Sequence, residues 1–158
     1  MEFLKATQSD VSEIMAHYKD VIKNTFTTWD ENYPNENLVR TDIDDGNFYV
    51  LKDGGKIVAV SFLGQKKNDT ETWHHQLSKP MGVARICVSP NHQGKGIGTM
   101  FMQLLISEAK NRGADGMHFH VCTKNVSAMK MYEKCGFVRG DEVVNNYGFD
   151  FYKYEQVF

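Results

Sequence analysis

Val88-Ser89-Pro90-Asn91-His92-Gln93-Gly94-Lys95-Gly96-Ile97-Gly98 sets three glycines at alternate positions between two different hydrophobic periodicities. Upstream, Val83 to Val88 is a short apolar run stopped by Pro90, which reads as a buried strand. Downstream, Ile97, Phe101, Leu104, Leu105 and Ala109 recur on one side of a helix from Ile97 to Arg112, ended by Gly113. A glycine turn that leads from a strand into a helix is built to hold an anion. Without Cβ atoms its N–H groups can converge, and the positive end of the helix dipole adds to the attraction for a phosphate. Two familiar nucleotide motifs fail: Gly96 stands where a P-loop needs Ser or Thr, and Thr99 stands where a dinucleotide fingerprint needs its third glycine. Taken alone, the glycines fit a pyrophosphate cradle and a ligand-free turn equally well.

Outward from this turn the pattern alternates strands and helices. Residues 2 to 6 form a short strand, and Thr7 with Asp10 gives the signal that opens a helix near Gln8. Val11, Ile14, Met15, Tyr18 and Ile22 make its apolar face, with Asp10, Glu13, Lys19 and Lys23 placed outside. A second short helix fits residues 37 to 44. Phe48 to Lys52 and Lys56 to Leu63 form an antiparallel hairpin around Asp53-Gly54-Gly55. Gln65 to Pro80 is polar and long for a connection, and reads as a mobile loop or as ragged strand ends. Met117 to Cys122 is a strand, Asn125 caps a helix carrying Ala128, Met131, Tyr132 and Cys135 on one face, and strands near 137 to 144 and 149 to 156 follow. The order βααβββαβαββ describes an α/β fold with a mixed sheet, and residues 1–158 read as a single domain.

Composition bounds the function. Eighteen Lys and Arg against 20 Asp and Glu give a net charge of −2, which offers no broad electrostatic footprint for nucleic acid or an anionic membrane. No stretch approaches the roughly 18 apolar residues of a membrane span. Cys87, Cys122 and Cys135 form no CxxC pair, and an odd number argues against a disulfide framework, so a cytoplasmic location is expected.

Two separated motifs then resemble the GNAT superfamily of acetyl-CoA-dependent N-acetyltransferases. Gln93-Gly94-Lys95-Gly96-Ile97-Gly98 fits its Arg/Gln-x-x-Gly-x-Gly/Ala pyrophosphate loop, preceded by Ile86-Cys87-Val88-Ser89-Pro90, which looks like its fourth strand. Asn125, Ala128, Tyr132, Gly136 and Phe137 fall on its Asn-x-x-Ala-x-x-x-Tyr-x-x-x-Gly-Phe pattern. The resemblance implies direct attack by an amine on the thioester of acetyl-CoA. It implies that N–H groups of a splayed fourth strand around Ile86, Cys87 and Val88 hold the pantetheine arm, that Gln93 to Thr99 bind the pyrophosphate, that Asn125 and Ala128 help to bind the cofactor, and that Tyr132 protonates the departing thiolate. A phenol with a reference pKa of about 10 stays protonated at neutral pH and can give its proton to the thiolate of a thiol near 8.5.

The chain departs from the family at the general base, because Ala84 stands where many members carry a Glu. His120, in the following strand at a position where some members carry a Glu, is the candidate in its place. A reference pKa near 6.5 suits a base at neutral pH. His118 and His120 also share one strand face and can simply satisfy local hydrogen bonds. The missing Glu leaves open a non-catalytic acyl-CoA-binding module. Neither His118-Phe119-His120 nor His74-His75 has a third ligand at a metal-binding spacing, so no metal is expected. Trp29, Tyr33 and Trp73 could line an acceptor groove or anchor loops. The acceptor segments, roughly 25 to 45, 65 to 80 and 141 to 149, carry no motif, so the amine stays unidentified. The aromatic run Phe149, Phe151, Tyr152 and Tyr154 either pairs across a homodimer axis or finishes the sheet.

Overall fold

A computed structural model describes residues 1–67 and 69–158. The elements run β1 (Glu2–Lys5), α1 (Val11–Asn24), α2 (Glu36–Asp44), β2 (Phe48–Asp53), β3 (Lys56–Gly64), β4 (Pro80–Val88), α3 (Ile97–Asn111), β5 (Gly116–Cys122), α4 (Val126–Lys134), β6 (Val138–Asn146) and β7 (Phe149–Val157). This is the order read from the sequence. Contacts divide the chain into two compact units, Met1–Leu63 with Ala84–Phe101 and Gly64–Val83 with Met102–Phe158.

In the first unit the strands lie in the order β1-β2-β3-β4. The β2–β3 hairpin turns through Gly54 and Gly55, both at positive φ (+54° and +80°), between the paired residues Asp53 and Lys56. Two left-handed central residues make a type I′ turn, whose twist matches that of both strands. Val11, Ile14, Tyr18, Val39, Phe48, Val50 and Val60 form the core. Asp10 departs from the expected pattern, because it is buried although helical periodicity places it outside. Its carboxylate accepts from the Thr7 N–H (2.8 Å) and hydroxyl (3.1 Å) and from Lys52 Nζ (2.7 Å). Burial alone would raise its pKa, but Lys52 and Thr7 together hold it below the usual carboxylate value. The β2–β3 register shifts beside Lys52, and Glu13 Oε1 there accepts from the Ile57 N–H at 2.8 Å. The carbonyl of Val58 accepts from the Ser89 N–H at 2.8 Å, which ties the start of the glycine loop to β3.

In the second unit the order is β4-β5-β7-β6. β4 pairs with β5 in parallel at Pro80↔Gly116 and Met81↔Met117, and β5 pairs antiparallel with β7 over its whole length. β7 also pairs with β6, so the aromatic C-terminal strand lies inside the sheet and β6 forms its edge. β4 begins at Pro80 instead of Val83, because Pro is tolerated as the first residue of a strand and Gly82 is a strand residue, not a breaker. A Cβ on Gly82 would lie 2.5 Å from the backbone oxygen of His118. Gly82→Ala is therefore expected to destabilise the protein by about 1–3 kcal/mol, since backbone must shift to admit the methyl group. Thermal unfolding should show a midpoint lowered by several degrees, and an unchanged midpoint would mean that the two strands are not held this closely.

Candidate active site

The glycine loop lies between β4 and α3. After Val88 a short 3-10 turn over Pro90–His92 leads through Gln93 to Gly94 (φ +72°) and Gly96 (φ +79°). A Cβ on either glycine would meet nothing within 4 Å, so the loop is open at both positions. Two of the loop's carbonyl oxygens are engaged by its own side chains. Gln93 Nε2 donates to the Val88 carbonyl (3.0 Å) and Lys95 Nζ to that of Asn91 (2.8 Å). Met100 N–H donates to the Gly96 carbonyl (3.0 Å) as the first bond of α3, so the N–H groups of Ile97 and Gly98 precede the helical ladder. Ile97 is buried and Phe101 fully so, which fixes the direction of the helix. Gln93, Gly94, Lys95 and Gly96 thus lead directly into Ile97, Gly98 and Thr99, the first residues of α3.

The strand before this loop is anchored through a residue that sequence reading missed. Arg85, next to Ala84 and Ile86, adopts φ +54°, a left-handed conformation inside a strand. Its carbonyl accepts from Tyr18 Oη at 2.7 Å. Its guanidinium donates to the carboxylate of Asp42 and, at 3.3 Å, to the hydroxyl of Tyr33, and lies 4.9 Å from the centre of the Phe62 ring. Burial works against the charge, but Tyr33 and Asp42 outweigh it and keep Arg85 ionised. The available signal was Asp42 itself, an acid three residues after Val39 on the inner stripe of α2, where a buried cation had to meet it. Burial also pushes the Cys87 thiol well above its usual pKa, so Cys87 supplies no thiolate nucleophile at neutral pH. Trp29 packs edge-on against Tyr18 (5.4 Å between ring centres) and anchors its loop.

In the second unit Asn125 caps α4, its Oδ1 accepting from the Ala128 N–H at 3.2 Å. Its side-chain NH₂ retains donor capacity for a ligand carbonyl. Tyr132 is buried, edge-on to Phe119 (4.7 Å) and near Tyr154 and Phe137. Burial raises its hydroxyl far above the ordinary tyrosine value, so it stays protonated throughout the neutral range.

Residues 69–79 are tied to β5 and β7 and to Asp115 through side chains. These described residues form no strand or helix. The Glu155 carboxylate accepts from the N–H groups of His74 and His75, both at 2.9 Å. The Asp115 carboxylate accepts from those of Ser78 (2.6 Å) and Lys79 (2.9 Å). Trp73 stacks on His118 at 3.9 Å and donates to Asp69 Oδ2 at 3.1 Å. His120 meets Glu71, with Nε2 2.7 Å from Oε2. Burial lowers the pKa of His120 despite that carboxylate, so the ring is neutral at pH 7. Among the described residues no group of three or more His, Cys, Asp or Glu is arranged to hold a metal ion, and no helix is long and apolar enough to cross a membrane.

A sequence profile of the Acetyltransferase (GNAT) family matches residues 14–137, which contain the glycine loop, Asn125 and Tyr132. The chain belongs to the GNAT acetyltransferase family. An uncharacterized N-acetyltransferase, YobR, of Bacillus subtilis is 41% identical to this GNAT chain over 56 residues, 35% of the chain and 23% of the relative. The curated relatives are matched over 23% to 51% of their own lengths, so the chain spans about half of them or less. The ribosomal-protein-alanine N-acetyltransferase of Brucella melitensis superposes with a TM-score of 0.80 over 100% of both chains at 19% identity. The yncA acetyltransferase of Salmonella typhimurium, solved with acetyl-CoA, superposes with a TM-score of 0.75 over 99% of this chain and 92% of its own at 17% identity. The fold is therefore the mixed α/β fold of GNAT acyltransferases.

Proposed function

We propose that the protein transfers the acetyl group of acetyl-CoA to an amine by direct attack. The observation that carries this reading is the open cradle at Gly94 and Gly96 at the start of α3, in a chain of this family. The backbone of Gln93 to Thr99 binds the pyrophosphate, and that of Ile86, Cys87 and Val88 holds the pantetheine arm with Asn125 and Ala128. Bound acetyl-CoA supplies an activated acyl group with a thiolate as leaving group. Tyr132, kept protonated by burial, donates to that thiolate. An acceptor amine is mostly an ammonium ion at neutral pH and must first lose a proton. His120, kept neutral by burial, takes it, directly or through water. The acceptor is a small-molecule or peptidyl amine.

Calorimetric titration with acetyl-CoA, and with CoA for comparison, tests the cradle. Binding of both with about one site per chain is expected, followed by thiol release with members of an amine panel. No binding at millimolar ligand would remove the reading. Binding with no turnover of any amine would leave an acyl-CoA-binding module instead of an enzyme.

A further inference from the structure

We propose that Glu71 is a positioning residue for the reaction, holding His120 in the tautomer whose Nδ1 takes the proton of the acceptor. The inference rests on the transferase reading above and adds a residue to it. A carboxylate only accepts hydrogen bonds, so at 2.7 Å the His120 Nε2 facing Glu71 Oε2 carries the proton and the basic lone pair lies on Nδ1. Glu71 is itself fixed. Its N–H donates to Asp69 Oδ1 at 3.0 Å, and Lys66 Nζ lies 3.2 Å from its second carboxylate oxygen. On its C-terminal side the Thr72 carbonyl accepts from buried Lys153 at 2.7 Å, and Trp73 is stacked on His118. The segment repeats the pairing one step away, where Asp69 Oδ2 lies 3.4 Å from His118 Nε2. Asp69 and Glu71 thus face His118 and His120, two acids two residues apart against two imidazoles two residues apart.

The charged groups that face His120 are Glu71 and Lys66 of the segment, Lys153 of β7 and His118 of its own strand, with the Phe151 ring edge-on at 6.4 Å. Burial, Lys66 and Lys153 disfavour the imidazolium, and Glu71 favours it. Glu71 therefore keeps a buried ring basic enough to act. In the step, the acceptor ammonium gives one proton to Nδ1, and the freed nitrogen lone pair forms the C–N bond. The C–S bond breaks, the thiolate takes the Tyr132 proton, the surplus proton on the new amide nitrogen returns through water to the Tyr132 oxygen, and the imidazolium facing Glu71 releases its proton to water.

The test is the pH dependence of thiol release for the parent, Glu71→Gln, His120→Gln and the double variant, together with nitrogen NMR of the His120 ring. Glu71→Gln is expected to lower kcat about tenfold and to move the acidic limb of the amine kcat/KM to lower pH, with the KM for acetyl-CoA unchanged. The double variant should be no slower than His120→Gln, and the parent ring should be protonated on Nε2 at neutral pH. A limb that stays in place, an additive loss in the double variant, or a ring protonated on Nδ1 would overturn the role of Glu71 and leave the transferase reading standing. A parent that acetylates no amine would sink both, and that outcome is distinct from the other three.

Discussion

Tyr132→Phe should lower kcat by about 10²–10³-fold while leaving the KM for acetyl-CoA within about twofold of the parent. The substitution removes one oxygen from a ring that is 4% exposed and packed edge-on against Phe119, so the aromatic cluster and the melting temperature should persist. What is lost is the only thing the hydroxyl adds, a proton that burial keeps on the oxygen throughout the neutral range. That proton is what a departing thiolate needs. The loss should therefore fall on C–S cleavage, and acyl donors whose thiol is more acidic should recover part of it. Steady-state thiol release measures both. A variant as fast as the parent would remove Tyr132 from the chemistry and reduce it to a packing residue.

Gly96→Val should weaken acetyl-CoA binding by about 100-fold, equivalent to ~2.7 kcal/mol, as read by calorimetry. Two effects act together. Gly96 has φ +79°, a conformation that a β-branched residue adopts only under strain. The side of the loop that is open within 4 Å would also be filled by the new side chain, where the pyrophosphate must come close to backbone N–H groups. Gly54→Val is the control. It places the same residue at a positive φ of +54° in the β2–β3 turn, so it should lower the melting temperature but leave the affinity unchanged. Equal loss of affinity in both variants would mean that general destabilisation, not the cradle, controls binding.

The parts of the fold that were legible are those specified by local chemistry. Gly54-Gly55 demands its hairpin, the stripe through Val11, Ile14 and Tyr18 demands a buried helix face, and the glycines from 94 to 98 demand a strand-to-helix turn. Asn125 was legible as a cap because its partner, Ala128, lies three residues away. What stayed hidden depends on side chains meeting backbone or charge far along the chain. Segment 65–79 has no periodicity of its own, and its shape comes from Asp115 and Glu155, which no window around residue 70 contains. Arg85 carries no signal of its own in the sequence, because its partners Asp42 and Tyr33 lie far along the chain. His120 could be named from its place in a motif, whereas Glu71 could not, because only the folded chain sets the two face to face.

The position of β7 between β5 and β6 also orders events in time. On the ribosome β5 and β6 emerge first, yet neither has the other as a neighbour, and both wait with open edges for a strand that has not been made. A chain paused after Asn146 would expose two unpaired edges, a form prone to joining other chains. A chaperone that shields those edges until β7 is in place should then raise the yield of folded protein.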